Sequence, residues 1–241
     1  MKVVIHQPQY LPWLGYFDKV DQADCFVLLD DVQFKKNEWQ NRNRIKTASG
    51  WQWLTVPVLH RFPQRISEVT INQTVPWSRK HLQALISNYG SAPFFDLHQP
   101  FFEEIYAREQ TLLVNLNLAI ITYLVEALGI QTKMVLASSL PVPAEREATD
   151  RLVAICEALG AETYLSGVGG REYLDLTRFR EAGVQVIFQA FHTRPYPQRF
   201  GAFVPDLSIV DLLFNCNDQS LQILRQGRSV GEDPGDWVSS G

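Results

Sequence analysis

The sequence predicts an α/β fold: a mostly parallel, layered sheet flanked by helices, with a helical portion in the middle of the chain. Short apolar runs alternate with segments of helical hydrophobic period, the pattern of strands joined through crossover helices. Two of those runs empty abruptly into polar residues: Val3-Val4-Ile5 into His6-Gln7-Pro8, and Ala161-Glu162-Thr163-Tyr164-Leu165 into Ser166-Gly167-Val168-Gly169-Gly170. Strands that end in this way deliver side chains to the carboxyl edge of a parallel sheet, where α/β proteins keep their ligand sites.

Taken in order, the strands are expected near residues 2–5, 25–30, 51–58, 133–137, 163–166 and 184–190. Apolar residues at helical spacing predict helices over 77–88, 93–107, 111–128 and 149–159, with a further one over 171–182. Leu112, Leu116, Ile120 and Leu124 form one packing stripe. Thr149 reads as an N-cap, and Gly129 and Gly160 sit where C-caps belong, each ahead of a new strand. The succession is Rossmann-like, and it is read as one domain over residues 1–226. Pro141-Val142-Pro143-Ala144 reads equally as a hinge or a surface loop. The tail over 227–241, rich in Gly, Ser, Asp and Pro, is expected to be disordered.

At 241 residues and 46% hydrophobic content, the chain can bury one large core or two small ones. Its formal charge of −4 lacks the positive field of a nonspecific nucleic-acid binder, so nucleic acid is disfavoured as a partner. Cys25, Cys156 and Cys216 are odd in number, far apart and set in apolar surroundings, which suits buried reduced thiols. Met1 leads straight into a strand pattern without a secretory signal, and the apolar stretch 112–128 is broken by Asn115, Asn117 and Glu126. No transmembrane segment and a cytoplasmic location are therefore expected; homo-oligomerisation stays open.

Candidate chemistry collects after the strands. His6 places an imidazole at a strand terminus with Gln7 beside it, as acid, base or phosphate ligand, or as a structural histidine bonded to its loop. Tyr10, Trp13 and Tyr16 offer flat faces for a sugar or base, although aromatics more often fill cores. Asp30 and Asp31, ahead of Gln33, point to opposite faces if the strand continues through them. One could hold Mg²⁺, a ribose hydroxyl or an amine; a cap or salt bridge is the plain alternative. Arg42, Asn43 and Lys46 mix cations with amides in a segment suited to phosphate or carboxylate. The Ser166-Gly167 turn can expose backbone N–H groups to an anion. A second rigid loop carries His192, Tyr196 and Gln198, and Asp211 shares a helical face with Asn215. The catalytic set is read as His6, Asp31 and His192. Gln7, Tyr10, Trp13, Asp30, Gln33, Arg42, Asn43, Lys46, Ser166, Gly167, Tyr173, Tyr196, Gln198 and Asp211 are read as substrate contacts.

The segments IHQPQYLPWLGYFDKV, LLDDVQFKK, QNRNRIKT, WLTVPV, TYLSG, REYLD, RPYPQRF and PDLSIVDLLFN follow one another in this order. Together they resemble the WbqC-like family over about residues 1–216. The resemblance implies a setting in bacterial O-antigen and other surface-polysaccharide assembly, with an activated sugar or nucleotide as the small-molecule substrate. In that setting the leading reading is a transferase or related enzyme, with an aminoacyl or acyl group as one cargo. A noncatalytic precursor-binding or partner-binding protein is the reading from another class. A more distant similarity is to α/β nucleotidyltransferases with an HxGH motif, which would use a nucleotide with Mg²⁺. Here Trp13-Leu14-Gly15-Tyr16 stands in the motif's place, and both histidines are missing.

Overall fold

The computed structural model describes residues 1–144 and 147–229. In chain order these form β1 (Lys2–His6), α1 (Leu14–Gln22), β2 (Cys25–Leu28), a hairpin of β3 (Arg42–Thr47) and β4 (Gly50–Thr55), and a short pair of β5 (Val58–Leu59) and β6 (Thr70–Ile71). Helices α2 (Trp77–Tyr89), α3 (Phe95–Ala107) and α4 (Leu113–Ala127) follow. The chain then returns through β7 (Lys133–Leu136), α5 (Ala148–Leu159), β8 (Thr163–Ser166), α6 (Leu176–Glu181), β9 (Gln185–Phe188), α7 (Ile209–Cys216) and α8 (Ser220–Gln226).

Five strands make one parallel sheet in the order β7-β2-β1-β8-β9. This is the α/β, Rossmann-like architecture expected from the alternating pattern, with helices α2 to α4 as its central helical portion. The pleat sends alternate side chains to opposite faces. Val4, Phe26, Leu28 and Leu165 join one apolar cluster with α1, α4 and α7. Val3, Ile5, Cys25, Val27 and Tyr164 join another with α5 and α6. Burial on both faces is why β1 and β2 read as unbroken apolar runs.

Some boundaries differ from expectation. Arg42–Thr47, read as a polar recognition segment, is a strand paired in antiparallel register with β4, from Arg42 opposite Thr55 to Thr47 opposite Gly50. The expected strand over 51–58 is correspondingly β4, with β5 separate. β2 stops at Leu28, so Asp30 and Asp31 lie in the loop after it. The segment expected as one helix over 171–182 divides into a 3-10 turn, Val168–Glu172, and α6. Thr149 lies inside α5, where Glu147 holds the N-cap position, whereas Gly160 caps its C-terminus at φ 66°, ψ 37°. Ser208 caps α7, its hydroxyl accepting from the Val210 N–H. Residues 141–144 are a turn between β7 and α5. The three free cysteines are buried. Of the expected tail, Arg228 is tied to Asp18 and Asp21 and bridges Phe191; residues 230–241 lie outside the described residues. No helix among the described residues is long and apolar enough to cross a membrane.

Beside the sheet, His81 of α2 shares a 2.8 Å hydrogen bond with the Tyr10 hydroxyl, which lies 2.5 Å from that of Tyr106. Burial pushes the His81 imidazole down to about 4, a backbone hydrogen bond with Thr55 opposing it. Below its ordinary value of about 6.5, the unfolded chain takes up a proton that folded His81 refuses. Stability therefore falls as pH drops from about 6.5 to about 4, by on the order of 3 kcal/mol from this group. Urea unfolding at pH 7 and pH 4 should show a loss smaller by about that amount in His81→Gln; equal losses in both proteins would contradict it.

Candidate functional site

The order of the strands positions the site. From β1 the chain crosses to β2 through α1 on one face, and from β8 to β9 through α6 on the other. The connections leaving β1 and β8 thus diverge, which opens a crevice outside their carboxyl ends. A cleft of about 760 Å³ lies there, lined among others by His6, Gln7, Gln33, Arg151, Tyr164 and Tyr173. Its volume suits a small-molecule ligand.

His6 closes β1. Its Nδ1 lies 3.0 Å from the Gln7 carbonyl oxygen, which can only accept, so the proton sits on Nδ1 and Nε2 offers a lone pair. Burial first, and the charge of Lys19 second, push the imidazole down to about 3. His6 therefore meets a ligand at neutral pH as an uncharged hydrogen-bond acceptor. Gln7 is oriented from outside the sheet: Asn117 of α4 donates to the Gln40 carbonyl at 2.8 Å, and Gln40 Nε2 donates to Gln7 Oε1 at 2.8 Å. Ser166, 2% exposed, donates to the Gly167 carbonyl. Gly170 covers it so closely that a Cβ there would lie 2.1 Å from Ser166 Oγ.

The two aspartates part company. Asp30 accepts from Ser138 N at 3.0 Å and Ser138 Oγ at 2.7 Å, which fastens the end of β2 to the exit of β7. Asp31 accepts from Arg151 Nη2 at 2.5 Å in a buried ion pair that ties α5 to the sheet edge beside the cleft, while its Oδ1 finds no partner. Both carboxylates thus already hold protein groups. Among the described residues, no three His, Cys, Asp or Glu side chains gather so as to hold a metal ion.

Trp13 and His192 line a second recess, a groove of about 520 Å³ completed by Trp39, Arg44, Thr193 and Asp206 among others. It shares no lining residue with the first. Trp13 lies across the first turn of α1, where only glycine fits at 15, because a Cβ would come within 2.3 Å of the indole. Trp39, ahead of the hairpin, lines the groove, and Trp51 and Trp53 of β4 are also exposed, with Trp39 and Trp51 each packing against Trp53. The Arg42 guanidinium sits 4.3 Å over Trp53, and that of Arg44 5.1 Å over Trp51.

The remaining expected contacts are turned inward. Tyr10 is in the buried network with His81. Asn43 donates to the Leu11 carbonyl at 2.7 Å, and Lys46 to that of Ala202 at 2.5 Å. Asp211 accepts from Tyr89 and Tyr196, each at 2.8 Å, with burial raising its carboxyl above the ordinary value against those two hydroxyls. Gln198 brackets Val204, donating to its carbonyl and accepting from its N–H. Reading the sequence did not single out Arg151, Arg44 or the hairpin tryptophans. Arg151 lies beside the apolar stripe of its helix and carried no sign of a buried partner 120 residues away.

Asp31→Asn leaves the Arg151 charge buried and unpaired, and should lower unfolding free energy by about 3 kcal/mol or more. Adding Arg151→Met should restore most of the loss. Denaturant titrations of the two variants check this, and an unchanged midpoint in Asp31→Asn would remove the pair as a fastening of the cleft.

Residues 7–223 match the model of the WbqC-like protein family. An uncharacterized protein of Mycobacterium tuberculosis, Rv1507c, is 40% identical over 231 residues, covering 94% of this chain and 99% of that protein. No solved structure matches the chain. The family model spans most of the sequence, including the second recess and all of the first but Ile5 and His6, and the relative aligns nearly end to end: the chain belongs to the WbqC-like protein family.

Proposed function

We propose that the chain is a cytoplasmic enzyme of bacterial surface-glycan assembly that transfers a group, an aminoacyl or acyl unit being the leading cargo, onto a sugar or nucleotide-sugar precursor. One observation carries this reading: two ligand-sized recesses of unlike chemistry, with no lining residue in common. A group transfer needs separate places for donor and acceptor. The cleft at the sheet edge, with His6, Gln7, Gln33 and Tyr173, takes the activated precursor. There the neutral His6 Nε2 orients a hydroxyl or amine by accepting its hydrogen. The groove beside Trp39 takes the acyl or aminoacyl donor, whose apolar part packs on an aromatic face while Arg44 meets an acidic group of the donor.

Uridine- and thymidine-diphosphate sugars should raise the melting temperature of the wild-type protein. A ligand at about 100 times its dissociation constant adds about 2.7 kcal/mol. His6→Asn should keep the fold and lose on the order of 100-fold in turnover of the precursor that binds. Recovery of that precursor unchanged with every acyl and aminoacyl donor would instead make this a binding protein. Pyrophosphate release from a nucleoside triphosphate with Mg²⁺ would make it a nucleotidyltransferase.

A further inference from the structure

The crevice between β1 and β8 contains a group that neither the sequence motifs nor the cleft lining brings out. Lys19 of α1 is only 4% exposed, and among the described residues its ammonium makes no hydrogen bond or ion pair. The carboxylate next to it in sequence is taken. Asp18 Oδ2 accepts from Gln22 at 2.8 Å and Gln189 at 2.7 Å, and its Oδ1 accepts from Arg228 at 2.6 Å. A lysine held in so enclosed a place costs free energy unless solvent or a ligand meets its charge.

Its surroundings say which. A Cβ on Gly167, just past the end of β8, would lie 3.4 Å from Lys19 Nζ. At the end of β1, His6 is close enough for the lysine charge to add to the effect of burial in lowering its imidazole, and with Nδ1 bonded to the Gln7 carbonyl its Nε2 makes no hydrogen bond among the described residues. Three residues before Lys19, and so on the same side of the helix, Tyr16 packs edge-on to the His6 ring with centroids 5.0 Å apart. Tyr16 is fully buried, and its hydroxyl lacks a partner among the described residues. One cation, one buried hydroxyl and one neutral acceptor therefore lie around one sheet edge. Buried polar groups are almost always satisfied, so the unpartnered Tyr16 hydroxyl beside a lysine charge marks a place for a ligand. The ligand must be anionic, since the surplus charge is positive. A carboxylate is commonly gripped by the planar fork of an arginine, whereas a lysine serves as a point charge on phosphate.

We propose that this crevice is a phosphoryl-binding site: the Lys19 ammonium pairs with one oxygen, the Tyr16 hydroxyl donates to another, and His6 Nε2 accepts from a hydroxyl of the same group or of the sugar beside it. The site deepens the proposed function by giving the activated precursor its phosphate anchor, yet it stands without the glycan reading. The apo protein keeps Lys19 poised, burial pushing its amine down to about 7 against the opposing pull of Asp18. Charged groups nearby are Asp18 and Asp21 of the same helix, held by Arg225 and Arg228 from the C-terminal segment, and His6, which stays neutral above about pH 3.

Sulfate tests this directly, because its charge does not change near neutrality. Titrated at constant ionic strength, and followed by melting temperature and by the chemical shift of the Gly167 amide, it should bind the wild-type protein at pH 6. It should bind on the order of tenfold or more weakly at pH 8.5, as Lys19 loses its proton. Phosphate should bind at the same place. Lys19→Met should abolish binding of both ions while the apo protein melts at or above the wild-type temperature, since a similar-sized apolar chain replaces an unpaired charge. Tyr16→Phe should weaken binding severalfold; it and Lys19→Gln serve if Lys19→Met does not fold. Equal sulfate affinity in wild type and the lysine variants, or no sulfate or phosphate binding by the wild type, would overturn the proposal. Sulfate binding without any response to nucleotide sugars would keep this site and remove the precursor reading.

Discussion

Parallel pairing of β1 with β2 on one edge and β8 on the other is the constraint from which the site follows. With Val3, Val4 and Ile5 all buried, β1 needs helices on both faces. α1 supplies one layer, and α5 with α6 supplies the other. Because those layers are reached by connections that leave adjacent strands in opposite directions, the carboxyl edge cannot close over. The last residue of β1 is His6, so the imidazole at that opening is placed by backbone pairing and needs no loop to hold it.

Around the opening, polar side chains are spent on fastening loops. Asn117 holds Gln40, Gln40 holds Gln7, Ser138 holds Asp30 and Arg151 holds Asp31. Each bond satisfies a group that burial has removed from water. What the lining of the cleft itself leaves for a ligand is correspondingly small: among the described residues, His6 Nε2, the amide nitrogen of Gln7, Gln33, Lys35 and the Tyr173 ring. A short list of polar groups along a wall is the usual composition of a pocket whose specificity lies in orientation.

The parallel sheet was legible because β1 and β2 are buried on both sides and so appear as uninterrupted apolar runs. The middle helices were legible because a one-sided stripe, such as Leu116, Ile120 and Leu124, survives in the sequence. α1 was less visible: its buried set includes Asp18 and Lys19, which breaks the hydrophobic period. β3 hid behind its charges, although its alternation is regular, with Asn43 and Ile45 buried and Arg42 and Arg44 less so. The candidate site was half legible. Strand-end loops were correctly read as the carboxyl edge, but whether a polar side chain there faces a cleft or another residue depends on contacts far apart in sequence. Asp211 meets Tyr89 across 122 residues, and nothing local announces it.

Among the described residues, the treatment of buried charge sets Lys19 apart from ordinary packing. Asp211 has two tyrosine hydroxyls, Asp31 has Arg151, Asp18 has three donors, and buried Lys46 donates to the Ala202 carbonyl. A fold that supplies partners this consistently is not loosely built where it omits one. Lys19 and Tyr16 lie on the helix that leaves β1, beside the strand end where divergence of the chain keeps an opening. Local rules of polar satisfaction tend to fail where function claims the groups instead. Burial first, and the charge of Lys19 second, keep His6 neutral, so the strand end offers one cation and one uncharged acceptor side by side.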